Sequence, residues 1–280
     1  MLRIHDIIVK CNLVWMGKNR VINLFQKNVL ILALHAGEIL LKSGSEIYRV
    51  EDTVTRICKA CRIKYVEVFA TTSSIFLSVD TGSYDTPPYT VVKRIKSTTI
   101  DLEKVSKVND FSRKFANENI SVEEGRKILK EIEQSEKFSL HLQILGAALI
   151  ASFFTLMFGG NWKDFGCSLI IGTCVYTLAL FLDRLKFNLF TRNFCACALC
   201  ALLSLFAIKI GIGANLNPII IGSIMIFLPG IAITNAVRDS LAGDLLAGSA
   251  RATEAALIAV SIAAGVGIVL FLWVFIGGAL

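Results

Sequence analysis

Apolar residues recur at helical spacing from Val21 to Leu41, which predicts a first helix. Ser43-Gly44-Ser45-Glu46 follows, with a Ser three residues ahead of a Glu, and this capping-box pattern predicts a second helix reaching about Cys61. The period then changes. Tyr65-Val66-Glu67-Val68-Phe69 and Ile75-Phe76-Leu77-Ser78-Val79 are short, β-branched and aromatic, and Gly82 with Pro87-Pro88 marks a long turn before Tyr89 to Ile95. A small sheet is expected there. Asp101 opens a helix to about Asn117, and Ser121-Val122-Glu123-Glu124 repeats the capping box ahead of a charged helix ending near Lys137.

Beyond Ser139 the polar face disappears. Five stretches approach the ~20 residues needed to cross the hydrocarbon core of a bilayer: about 140–158, 165–182, 190–208, 217–237 and 253–276. The predicted fold class is therefore an α+β cytoplasmic domain, residues 1–138, followed by an all-α polytopic membrane domain of about five transmembrane helices, residues 139–280.

Composition strengthens this division. The 280 residues are 54% apolar and only 18% charged, against ~25% charged in an ordinary soluble domain. Residues 1–138 hold 22 of the 29 basic and 17 of the 22 acidic residues, which leaves 7 basic and 5 acidic residues for the remainder. The first part carries an excess of five positive charges, which suits a domain beside an anionic cytoplasmic leaflet. No dense basic block, zinc-finger spacing or aromatic-rich RNA-binding signature is present, so nucleic acid is not an expected partner.

The loops order the topology. Arg184, Lys186 and Arg192 follow the second stretch and Arg238 and Arg251 the fourth, whereas the first and third are followed by Lys163 and Lys209 alone. The positive-inside rule puts the amino terminus in the cytoplasm and the carboxyl terminus outside. No signal peptide is expected, because Lys10, Lys18 and Arg20 interrupt the first apolar stretch.

The segment from Ile226 to Glu254 is the richest in chemistry. Pro229 removes a backbone donor and Gly230 relaxes the chain, so the fourth span is expected to be discontinuous at membrane depth. Asn235, Arg238, Asp239, Asp244 and Glu254 follow closely, and such groups are costly in lipid unless they pair or face a cavity. Gly243 and Gly248 let a helix or substrate come close, or serve as turn residues. The plainer alternative is a proline-kinked helix followed by a solvated cytoplasmic loop. Asp183 and Arg184 read as interfacial anchors.

Cysteine and histidine add little. Cys58-x-x-Cys61 lies at i, i+3 on a predicted helix and has no second pair, so no metal site is expected. Five of the eight cysteines sit inside apolar spans and read as small apolar side chains. His5, His35 and His141 are scattered and make no catalytic constellation.

Several blocks carry a resemblance: HAGEILLKSGSEIYRVEDTVTRI, VEVFATTSSIFLSVD, IDLEKVSKVNDFSR, FGGNWKDF and FLPGIAITNAVRDSLAGDLLAGSARATEA. Together they resemble the threonine/serine exporter family from about His35 to Ala256. Full-length members carry two dissimilar five-helix halves, whereas this chain is similar to the first half alone, as in the split form of the family. The pair that exports succinate from enterobacteria is of that form.

The resemblance implies an exporter of a small carboxylate metabolite, either a succinate-like dicarboxylate or threonine and serine. Its implied partner is a second five-helix membrane subunit, with a homo-oligomer as the other possibility, and no cofactor is implied. The implied substrate-binding set is Pro229, Gly230, Asn235, Arg238, Asp239, Gly243, Asp244 and Gly248. Asn235 would donate a hydrogen bond to substrate, Arg238 would pair with its carboxylate, and Asp239 or Asp244 would carry a proton. A membrane-tethered enzyme or sensor is the competing class. The soluble part shows no catalytic constellation, and five helices exceed what an anchor needs, so the chain is not expected to be an enzyme.

Overall fold

The computed structural model describes residues 24–80, 88–135 and 138–277. Gly82, Pro87, His5, Lys137 and the first residues of the expected opening helix lie outside them. The chain is mostly helical with one three-stranded sheet. It packs as two compact units: residues 24–135 with Asn235–Arg251, and residues 138–234 with 252–277.

In the amino-terminal unit, α1 (Leu24–Lys42) and α2 (Ile47–Ala60) precede β1 (Tyr65–Ala70), β2 (Ser74–Asp80) and β3 (Tyr89–Arg94), and α3 (Leu102–Asn117) and α4 (Val122–Gln134) follow. The strands form an antiparallel sheet in the order β1-β2-β3, with Phe69 opposite Phe76 and Phe76 opposite Val92. Side chains alternate across it, as a period of two requires. Ile75 and Leu77 are buried while Phe76 faces outward.

The helices bury one stripe each. Helix α2 does so with Val50, Val54, Ile57 and Cys58, and α4 with Val122, Gly125, Leu129 and Ile132, the spacing of an amphipathic helix. Two starts follow the expected chemistry: the Asp101 carboxylate accepts the Lys104 N–H at 3.1 Å, and the Ser121 hydroxyl accepts the Glu124 N–H at 3.2 Å. The start of α2 does not. Its N-cap is Glu46, and neither Glu46 nor Ser43 supplies a side-chain cap.

The second unit holds α5 (Leu140–Met157), α6 (Trp162–Arg184), α7 (Leu189–Lys209) and α8 (Leu216–Ile224), together with parts of α9 (Gly230–Leu241) and α10 (Leu245–Phe275). Among the described residues four helices, α5, α6, α7 and α10, are long and apolar enough to cross a membrane, and α8 with α9 makes a fifth if that bent pair is one span. Small residues line their contacts, including Ala147, Ala148, Ala151, Ala196 and Cys200, all buried. Small side chains let helices approach where no hydrophobic effect drives them together.

The fourth apolar stretch breaks where the sequence indicates. Helix α8 runs into a 3-10 turn at Met225–Phe227, Leu228 is extended at ψ 135°, and α9 starts at Gly230 after a bend of 58°. The residue before a proline is driven out of the helical region, which explains Leu228. Two boundaries differ from the pattern-based ones. Helix α6 starts at Trp162 rather than 165 because the Asn161 side chain accepts the N–H groups of Lys163 and Asp164. Helix α10 starts at Leu245 rather than 253 because the Asp244 carboxylate accepts the Ala247 N–H at 3.0 Å.

Asp164 joins two loops of this unit. It is fully buried, and its oxygens accept from Asn161 N (3.0 Å), Ala214 N (2.7 Å), Asn215 N (3.1 Å) and Asn215 Nδ2 (2.8 Å).

Candidate functional site

The polar block after the broken helix packs in the amino-terminal unit, on the turn between α1 and α2. Asn235 is buried and its Nδ2 donates to the Gly44 carbonyl at 2.9 Å. One turn later Asp239 is fully buried, and its Oδ1 accepts the Ile47 N–H at 3.0 Å. Ile47 is the first residue of α2, so this helix receives its cap from a carboxylate 192 positions away in the chain. A negative charge there also complements the positive end of the helix dipole.

Arginines complete the arrangement. Arg251 is buried, its Nη2 donates to the Ser45 carbonyl at 2.6 Å, and its Nε lies 3.0 Å from Asp239 Oδ2. That distance pairs the charges, but the N–H is not aligned for a hydrogen bond, and both Asp239 Oδ2 and Arg251 Nε are left without a hydrogen-bond partner. Arg238 Nη1 donates to Glu46 Oε1 at 2.6 Å. Glu46 also accepts from Arg49, at 2.9 Å from Nε to Oε2 and 3.3 Å from Nη2 to Oε1. One carboxylate is therefore held between two guanidinium groups.

The Glu46 side chain is 7% exposed and that of Arg238 54% exposed. Burial pushes the Glu46 carboxyl up, and hydrogen bonds from the backbone, Arg49 and Arg238 outweigh it, leaving the group below its ordinary value. Nearby, Glu51 accepts the Ala70 N–H at 2.8 Å, yet burial and the charges of Asp244 and Asp239 raise its pKa.

The implied site residues thus divide. Asn235, Arg238 and Asp239 converge on the segment from Gly44 to Ile47. Gly243, at φ +94°, turns the chain between α9 and α10, and Asp244 caps α10. Gly248 sits where a Cβ would lie 2.1 Å from the Ser240 hydroxyl and 3.0 Å from the Ala236 carbonyl, so no larger residue fits the close crossing of these helix ends. Pro229 and Gly230 belong to the other unit, and a Cβ at Gly230 would meet open space. Glu254 is exposed on α10. With Asn235, Asp239 and Arg251 buried, the block is not a solvated loop.

Glu46, Ser45 and Arg49 escaped pattern reading because the Ser43–Glu46 spacing suggested a local cap. A signal was present in the charges: the KSGSE block and the block around Arg238 both lie in segments that carry the family resemblance, and Glu46 and Arg238 are of opposite sign. Among the described residues, no group of three or more His, Cys, Asp or Glu side chains is placed to hold a metal ion. Cys58 is fully buried, and burial raises its thiol to about 12.

Residues 31–273 match the family described as "Putative threonine/serine exporter". Among curated proteins, the chain is 25% identical over 245 residues to the threonine/serine exporter of Corynebacterium glutamicum, covering 86% of this chain and 50% of that one. It is 22% identical over 245 residues to a "Probable threonine/serine exporter" of Mycobacterium tuberculosis, covering 87% and 46%. A pheromone-regulated membrane protein of Pichia sorbitophila is 27% identical over 190 residues, covering 63% and 18%. The chain spans about half the length of the first two. No solved structure matches. With the match covering both the sheet-bearing unit and the apolar helices, the chain belongs to the threonine/serine exporter family.

Proposed function

We propose that this chain is one half of a secondary transporter that exports a small carboxylate metabolite across the cytoplasmic membrane. The hydroxy amino acids named by its relatives are the first candidates, and succinate-like dicarboxylates the second. The observation that carries the reading is the family match itself, which runs through residues 31–273. In this reading residues 1–138 face the cytoplasm and the carboxyl end lies outside, as the distribution of Lys and Arg favours.

A separate five-helix membrane subunit is the partner in this reading, with a second copy of this chain as the other arrangement. Transporters commonly place their site between two bundles that rock against each other, and a second bundle would cover the break at Pro229. Arg238 receives the substrate carboxylate, because it is the half-exposed member of the block. Asn235 orients the substrate, Asp239 or Asp244 carries the proton, and Pro229 and Gly230 shape the break. Gly243 and Gly248 hold the turn that brings these groups together.

Export of labelled threonine, serine and succinate from cells expressing this chain alone, the candidate second subunit alone, and both together tests the reading. Activity only with both is the expected result. Full export by this chain alone removes the separate subunit, and no export of any of the three from cells holding both removes the substrate class.

A further inference from the structure

We infer that Glu46 is a built-in competitor for the exported carboxylate: it occupies the guanidinium of Arg238, and substrate must displace it to bind. The inference deepens the reading above and rests on its assignment of Arg238 to the substrate carboxylate. Its own ground is the geometry of the pair.

Glu46 presents to Arg238 the chemistry that a free amino acid or dicarboxylate would present, a carboxylate oxygen at 2.6 Å from Nη1. A ligand can reach that guanidinium, since more than half of the Arg238 side chain is exposed. The competitor itself is held back. Glu46 is almost wholly buried, and Arg49 grips both of its oxygens from one turn along α2, at 2.9 and 3.3 Å.

The carboxylate therefore does not depend on Arg238 for its charge balance. When Arg238 turns to a substrate, Arg49 still satisfies Glu46, and no buried charge is stranded, which is the condition that makes breaking an ion pair inexpensive. Asp239 differs in this respect. Arg251 is the cation beside it, Ile47 is already capped by it, and both groups are buried. The exchangeable pair is Glu46 with Arg238, and the fixed one is Asp239 with Arg251.

A competitor of this kind acts on affinity and not on turnover. Substrate gains only the difference between its own pairing with Arg238 and that of Glu46, so the internal carboxylate raises the concentration at which export half-saturates. Specificity follows as well. A ligand without a carboxylate has nothing with which to displace Glu46, so amides and alcohols of the same shape are refused.

The test is a comparison of Glu46→Gln and Glu46→Asp in cells that hold the full-length chain and its second subunit. Glu46→Gln keeps size and hydrogen-bonding capacity but withdraws the charge, and should lower KM for the exported carboxylate by about threefold, the size of a partly exposed ion pair, with kcat unchanged. Glu46→Asp restores a carboxylate and should return KM toward the wild-type value. A merely structural role for Glu46 predicts loss of activity in both variants and no gain in affinity.

A second readout does not depend on transport. Threonine, serine or succinate added to the detergent-solubilised full-length chain should raise its melting temperature at about threefold lower concentration in Glu46→Gln than in wild type. An unchanged or higher KM in Glu46→Gln, or no difference in ligand-induced stabilisation between the two proteins, overturns the inference. Absence of export by the wild-type pair, with the difference in stabilisation preserved, strikes the export reading alone.

Discussion

Asp164 and Asp239 are both fully buried carboxylates, yet their surroundings are opposite. Asp164 accepts four N–H groups from Asn161, Ala214 and Asn215, all of them neutral. Asp239 accepts one, from Ile47, and leaves its second oxygen to an arginine that is near but misaligned. The first arrangement is complete and has no reason to change. The second leaves a carboxylate oxygen and an N–H side by side without hydrogen-bond partners, and unsatisfied buried polar groups cost about 1–3 kcal/mol each. The difference separates a complete hydrogen-bond network from an incomplete one.

The largest effect should come from breaking the complete network. Asp164→Ala strands four donors, and stability should fall by about 3 kcal/mol or more, since leaving several buried donors unpaired adds their penalties. Melting of the detergent-solubilised protein and its yield in membranes report this. A loss below about 1 kcal/mol would erase the contrast between the two aspartates.

Next in size is the effect of Asp239→Asn, and it should fall on transport more than on the fold. The amide still accepts the Ile47 N–H, so α2 keeps its cap, but Arg251 loses its counter-charge and export should drop at least tenfold, about 1.4 kcal/mol or more. Combining it with Arg251→Gln removes both charges, and stability should recover toward wild type while export does not, because a stranded buried charge is worse than none. Additive losses in the double variant would show that the two do not form a pair.

Arg238→Lys should be milder in stability, within about 0.5 kcal/mol, because the side chain is half exposed. Export should still fall severalfold, since an ammonium lacks the planar fork suited to a carboxylate.

The smallest effect is one of pH. Glu46 has a folded value below its ordinary 4.5, so its contribution is fully present above that value and is lost as pH falls beneath it. The gap in melting temperature between wild type and Glu46→Gln should therefore be widest near neutral pH and close as acid takes the pH below the ordinary value of 4.5. A gap that widened with acid would reverse the sign of this pairing.

Much of this was legible in order of residues, and what was not has a common cause. The helix and strand periods, the caps at Asp101 and Ser121 and the break at Pro229 are local, and local chemistry decides them. The Ser43–Glu46 spacing also suggested a local cap, but Asp239 reaches the Ile47 N–H first, and Glu46 is drawn instead to Arg49 and Arg238. Tertiary pairing overrode a sequence motif there. Likewise Arg251 reads as one more loop charge until Ser45 and Asp239 are brought to it. The candidate residues were visible as polar groups in an apolar region; that they fold onto the first helical turn was not, because the two segments lie about 190 residues apart.

That separation has a consequence in time. Helix α2 is synthesised well before the carboxylate that caps it, which comes 192 residues later. At the ~5–20 residues per second of translation, the helix waits about 10–40 s for its cap. During that interval every span up to the break must be made, so the amino-terminal unit, whose core also includes Ala247, is finished only after the helices that precede its last segment. Residues 24–135 released alone would carry an uncapped helix and an uncovered patch of core, and this unit is better regarded as one folding event that draws on two distant stretches of the chain.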